Sequence, residues 1–91
     1  MVKITTKVKD VFHKAKWMSI FYFFEDDTYT IILSKKCNIS YSYIVPLISE
    51  SIKRGYITYR KDGRIKRLFL TEKGKILKQA VKEIYSIINF S

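Results

Sequence analysis

Cysteine, histidine and acidic residues are scarce in this 91-residue chain. The single cysteine, Cys37, excludes an intrachain disulfide and any cysteine-cluster metal site. The single histidine, His13, has no second histidine or carboxylate at ligand spacing, so we expect no metal and no cofactor. One Cys, one His and eight acids assemble neither a nucleophile-base pair nor paired catalytic carboxylates, and no phosphate-binding loop is present. No catalytic residue is assigned, and the chain reads as a non-enzyme. Long apolar runs are also missing. A membrane-spanning helix needs roughly 18 apolar residues, whereas "WMSIFYFF" runs only from Trp17 to Phe24. The N-terminus "MVKITTKVKD" has no apolar core or cleavage site of a signal peptide, so a cytoplasmic protein with no membrane partner is expected.

Basic and apolar residues are abundant. Eighteen Lys and Arg against eight Asp and Glu leave a formal charge of +10, which on so small a body attracts polyanions: nucleic acid first, an anionic membrane surface second. Hydrophobic content of 47% with 15% aromatics, spread through periodic segments, indicates one compact domain and not a disordered chain. There is no linker, repeat or low-complexity tract.

Along the chain, residues 1–10 alternate Val2, Ile4, Thr6 and Val8 with lysines, and could be a short edge strand or a basic arm. Asp10 offers an N-cap for a first helix over about 11–24, in which Val11, Phe12, Ala15, Met18, Phe21 and Phe24 recur at helical steps up to the acidic "EDD". Thr28 offers a cap for a shorter helix through "YTIILSKKC", ended by Asn38. Ser40 or Ser42 caps a third helix whose apolar stripe is Ile44, Leu47, Ile48 and Ile52, with Gly55 placed for a left-handed C-terminal turn. Two short helices and a tight turn make a helix-turn-helix. "YITYRKDGRIKRLFL" then switches to strand character on both sides of Asp62-Gly63, predicting a hairpin with a basic tip. Thr71 caps a last helix in which Leu77, Val81, Ile84 and Ile88 form an apolar stripe.

The stretch from about Met18 to Ala80 resembles the winged-helix regulators of the MarR and PadR type. The residues carrying the likeness are "SKKCNIS", "YSYIVPLISESIKRGYI" and "RKDGRIKRLFLTEKGK". "VPLI" is similar to the Tyr-Pro-Leu-Leu of PadR proteins, and small winged-helix proteins of archaeal viruses and plasmids look alike in size. The resemblance implies an α+β winged helix-turn-helix: a three-helix core, a two-stranded wing and a long C-terminal dimerisation helix over about 72–89, within one domain spanning 11–91. It implies a double-stranded DNA-binding transcription regulator acting as a homodimer, in the host cytoplasm if virus-encoded. The chain is shorter than typical members and lacks most of the helices that form an effector pocket, so no effector is assigned.

Aligned with that pattern, the recognition helix spans about 41–54 and the wing about 58–67. Proline is tolerated in a first helical turn, where its missing N–H has no partner to lose, so Pro46 places the start of regular helix near Tyr43. Tyr41 and Ser42 would then sit at the turn, beside the helix N-terminus. Ser40, Tyr41, Ser42, Tyr43, Val45, Pro46 and Ser49 form the expected groove-facing side. That face carries none of the Arg, Asn or Gln that read bases sharply, so hydroxyls and apolar contact with thymine methyls imply modest specificity.

From Lys35 to Arg67, nine basic residues against two acids give +7. Lys35, Lys36, Arg60 and Arg67 are expected among the DNA-binding residues, Lys61 and Lys66 at backbone phosphates, and Arg64 at the minor groove. Phe12, Phe21, Leu77, Val81, Ile84 and Ile88 are expected at the dimer interface, setting two recognition helices about 34 Å apart. Plainer readings stand beside these. The basic hairpin can be a solvated edge, Tyr41 and Tyr43 can pack on neighbouring helices, and Cys37, four after Leu33, fits a small core residue better than a redox switch. A non-specific architectural DNA binder or a protein-binding winged helix is the alternative function.

Overall fold

A computed structural model describes residues 14–88; the expected arm 1–10, the start of the first helix with Phe12 and His13, and residues 89–91 lie outside the described residues. Helix α1 is described over 14–23, and it points Ile20 and Phe21, with Phe24 just beyond, into the centre of the molecule. Helix α2 (Thr30–Cys37) stops where Asn38 takes the left-handed conformation, φ 56°, which a short polar side chain tolerates. Ile39 then turns back into the core, and the Ser34 hydroxyl donates to its carbonyl at 2.5 Å.

Helix α3 (Tyr41–Lys53) buries Ile44, Leu47 and Ile48. It ends on Gly55 at φ 82°, with the Tyr56 N–H bonded to Ser51 O at 2.9 Å and the Gly55 N–H to Ile52 O at 3.1 Å. This pair of bonds satisfies the last helical carbonyls and needs a left-handed residue, which glycine supplies without a Cβ clash.

Strands β1 (Ile57–Asp62) and β2 (Ile65–Leu70) pair antiparallel, from Ile57 opposite Leu70 to Asp62 opposite Ile65. Helix α4 (Glu72–Ile88) follows at once. Thr71 caps it as expected: its Oγ1 accepts the Gly74 N–H at 3.0 Å and donates to Gly55 O at 2.6 Å, joining the end of α3 to the start of α4. The architecture is α+β, a helical core with a two-stranded wing. Its core is Ile20, Phe21, Phe24, Leu33, Ile39, Ile44, Leu47, Ile48, Ile57, Leu68 and Val81.

Four expectations are corrected. Thr28 does not cap α2: its backbone bridges Leu68, with Leu68 N–H to Thr28 O at 2.8 Å and Asp27 N–H to Leu68 O at 3.0 Å. The acidic linker is therefore a third strand-like segment along β2, a long-range pairing with no local signal. Helix α3 begins at Tyr41, because the Tyr43 and Ile44 N–H groups both reach Ser40 O. Tyr41 and Ser42 lie in its first turn, the Ser40 side chain makes no capping bond, and Pro46 sits inside the helix where it removes one i→i−4 bond. The hairpin turns on Gly63-Arg64, one residue later than Asp62-Gly63, with Gly63 at φ 65°. Glycine first in a two-residue loop suits a turn with positive φ at that position alone. Finally, Phe21 and Val81 are fully enclosed within the monomer, so neither offers a surface to a second copy.

Gly74 marks a close approach: a Cβ there would lie 2.0 Å from Tyr56 O, a backbone atom that Thr71 also needs. Gly74→Ala should therefore destabilise the protein by about 1 to 3 kcal/mol, the usual cost of overpacking, measured as a lowered urea midpoint.

Candidate nucleic-acid interface

The exposed side of α3 divides into two strips. Tyr41, Val45 and Ser49 face the wing and, with Ile31 of α2 and Arg64, Ile65 and Lys66 of the hairpin, line a groove. Ser42 and Pro46 border a second groove on the α1 side, shared with Lys14, Trp17, Glu50 and Arg54. Tyr43 belongs to that second side: it packs against the core, and the Lys16 ammonium lies 4.4 Å from its ring centre. This corrects its expected place on the groove-facing strip. Ser40 and Lys35 are exposed beside the helix-turn-helix corner.

The wing carries its charge outward. Arg60, Lys61, Arg64 and Lys66 are all exposed, and among the described residues no carboxylate lies within ion-pair distance of them. Two are steadied by aromatic rings instead, Arg60 over Phe69 at 5.3 Å and Lys66 over Tyr59 at 4.6 Å. A cation on a ring keeps its full charge for an external anion.

Two expected DNA-binding residues are turned elsewhere. Lys36 pairs with Glu25 at 3.3 Å and lines a surface with Phe23, Lys78 and Lys82, toward α1 and α4. Arg67 Nε lies 3.4 Å from both Asp27 and Asp62, and Tyr29, ahead of those carboxylates, holds its guanidinium firmly protonated. Arg54 is likewise committed, to Glu50 at 2.9 Å.

Some features escaped the sequence. Lys14 and Lys16 add charge on the α1 side of α3, and only the docking of α1 on α3 brings them there. Ile65, a strand residue after the turn, is half exposed in the α3–wing groove. The signal in the sequence was their spacing: three residues apart on one strand, Ile65 and Leu68 fall on opposite faces, so only one of them can face the core. Of the expected interface residues, Leu77 packs against the core, while Ile84 and Ile88 are open on α4 together with Ile76 and Ile87. No group of residues able to hold a metal occurs among the described residues.

No protein-family model and no curated protein matches the sequence. Solved structures do. AF1382 from Archaeoglobus fulgidus aligns at 26% identity and TM-score 0.75, over 86% of this chain and 92% of its own. SSV1 F-93 aligns at 25% identity and TM-score 0.67, over 81% and 88%. The MarR family transcriptional regulator SPO1453 from Silicibacter pomeroyi DSS-3 aligns at 17% identity and TM-score 0.66, over 94% and 70%. The fold is the MarR-like winged helix. Two of the other matching structures are complexes with DNA. In this winged helix, no described helix is long and apolar enough to cross a membrane.

Cys37 sits half-buried at the end of α2, with its Sγ 3.6 Å from Ser19 O. Burial pushes the thiol above its ordinary value, outweighing the Ser19 contact and the Lys36 charge. Because the thiolate is the reactive form, alkylation by iodoacetamide at neutral pH should run slower than in the urea-unfolded chain, and its rate should level off at a higher pH than the unfolded thiol's. Equal rates in folded and unfolded protein would contradict this placement.

Proposed function

We propose that this winged helix is a double-stranded DNA-binding transcription regulator, with α3 in the major groove and the wing on the backbone or minor groove. The observation that carries the reading is a shared groove: the open α3 strip Tyr41, Val45 and Ser49 lines it together with the carboxylate-free cations Arg64 and Lys66, and Arg60 and Lys61 stand exposed on the same hairpin. Phosphate neutralisation needs such charge, and a helix flanked by it suits the width of a major groove. The likeness to a MarR family transcriptional regulator, and to structures solved on DNA, supports the same function.

We take the protein to work as a homodimer within a single domain over 11–91, joined through the 72–89 helix and acting in the cytoplasm. The supporting feature is the unpartnered outer stripe of α4, where Ile76 is 72% and Ile87 83% exposed. The recognition strip has Tyr, Ser, Val and Pro in place of Arg, Asn or Gln. Its preference should come from thymine methyls touching Val45, Pro46 and the Tyr41 ring, and from groove width read by Arg64.

The test is a fluorescence-anisotropy titration against the DNA upstream of the gene and a scrambled duplex of equal length, across a salt series. A preference of about 4 kcal/mol or more supports a sequence-reading regulator. Equal, steeply salt-dependent binding makes the protein an architectural DNA binder, and no binding at low salt favours a protein-interaction role. Arg64→Ala with Lys66→Ala should lower the salt slope by roughly one unit per lost phosphate contact; an unchanged slope removes the wing from the interface. Replacing thymine by uracil in the preferred duplex deletes the methyls and leaves base pairing intact. It should weaken binding about fourfold per contacted methyl, from about 0.8 kcal/mol for each buried carbon.

A further inference from the structure

Of the two arginines paired at the middle of the wing, Arg60 and Arg67, the second is held between acids. Arg67 stands on β2 between Asp62, at the end of β1, and Asp27, in the linker before α2, its Nε 3.4 Å from a carboxylate oxygen of each. That nitrogen is buried and has no aligned hydrogen-bond partner, so charge rather than a directional bond holds it. Tyr29, at the N-cap position of α2, also reaches the guanidinium. One side chain therefore joins three segments: hairpin tip, linker and the first residue of the helix-turn-helix.

The backbone beside it makes the same join. Asp27 holds φ 64°, a conformation that Asp and Asn tolerate but most residues avoid, and its N–H donates to Leu68 O at 3.0 Å. The Leu70 N–H donates to the Asp26 carboxylate at 3.0 Å, and Thr28 bridges Leu68. A two-stranded hairpin alone is marginal in water, so the placement of its tip relative to α3 depends on what grips β2.

We propose that Arg67 is a positioning residue and not a phosphate contact: with Asp27 and Asp62 it clamps the wing to the α1–α2 linker, setting where Arg64, Lys61 and Lys66 stand relative to α3. The inference rests on the DNA-binding reading above, and it makes a prediction opposite in sign to plain electrostatics. Asp27→Asn removes a negative charge from the DNA-facing side while keeping a residue that tolerates positive φ. Were charge all that mattered, binding would tighten. With a clamp, binding weakens.

The experiment compares wild type, Asp27→Asn, and Asp27→Asn with Arg67→Gln in the salt-series titration, with Tm followed in parallel. The double variant has the same net charge as wild type, since one acid and one base are removed together. We expect both variants to bind roughly threefold to tenfold more weakly, the scale of a wing docked only part of the time, with an unchanged salt slope. Tighter or equal binding by Asp27→Asn overturns the clamp. A slope that falls by about one in the double variant overturns it too, because Arg67 would then be a phosphate contact. If wild type binds no duplex, the functional reading fails by itself. The clamp is then decided without DNA, by exchange of the Leu68 amide, bonded to Thr28 O at 2.8 Å. Faster exchange in Asp27→Asn supports the clamp, and an unchanged rate rejects it.

Discussion

The carbonyl of Tyr56 is the point on which the remaining geometry depends. It accepts the Thr71 N–H at 3.1 Å where β2 gives way to α4 and leaves no room for a side chain at Gly74, while the N–H of the same residue closes the left-handed turn that ends α3 by donating to Ser51 O at 2.9 Å. The Tyr56 ring meets Trp17 at 5.6 Å and Phe21 at 5.9 Å, both edge-on, and supports the Lys73 ammonium at 4.5 Å. One residue thus fixes the end of α3, the root of the hairpin and the start of α4 against α1. Aromatic pairs of this geometry contribute about 0.5 to 1.5 kcal/mol beyond their buried area, and here they stiffen a junction that a small core could not otherwise hold.

The charge pattern of the proposed DNA-facing side follows from where the chain places its acids. Glu25, Asp27, Glu50 and Asp62 are each committed, to Lys36, Arg67 or Arg54. All these pairs are largely exposed and contribute little stability on their own. Their effect is on the shape of the electrostatic field: the charges of Lys36, Arg54 and Arg67 are answered locally, while Arg60, Lys61, Arg64 and Lys66 of the wing are left open toward solvent. A field concentrated at one place steers an approaching polyanion more than the same charge spread evenly.

What the sequence revealed and what it hid divide along the range of the forces involved. Asn38, Gly55, Thr71 and the hairpin were legible because each rests on local backbone chemistry: a tolerated left-handed φ, a hydroxyl three residues before an N–H, a turn between alternating strands. The linker's pairing with β2 was hidden, since its partners are some 40 residues apart and "EDD" carries no strand pattern. The directions of Lys36 and Arg67 were hidden for a similar reason: charge counts register a cation but not the carboxylate that folding brings beside it. Pro46 misled in a different way. A rule valid for most helices shifted the start of α3 by two residues, because the Ser40 carbonyl begins the helix early and leaves the proline inside.

Trp17 is the chain's one tryptophan, and its indole N–H donates at 2.9 Å to Ser51 Oγ, which in turn donates to Leu47 O inside α3. The molecule therefore carries a built-in optical probe whose environment is the seam between α1 and the proposed recognition helix. Its emission depends on the polarity around that indole and on the Phe21 ring 5.1 Å away. Any tilt of α3, whether on meeting a duplex or a second copy, is reported in the native chain's own fluorescence without an attached dye.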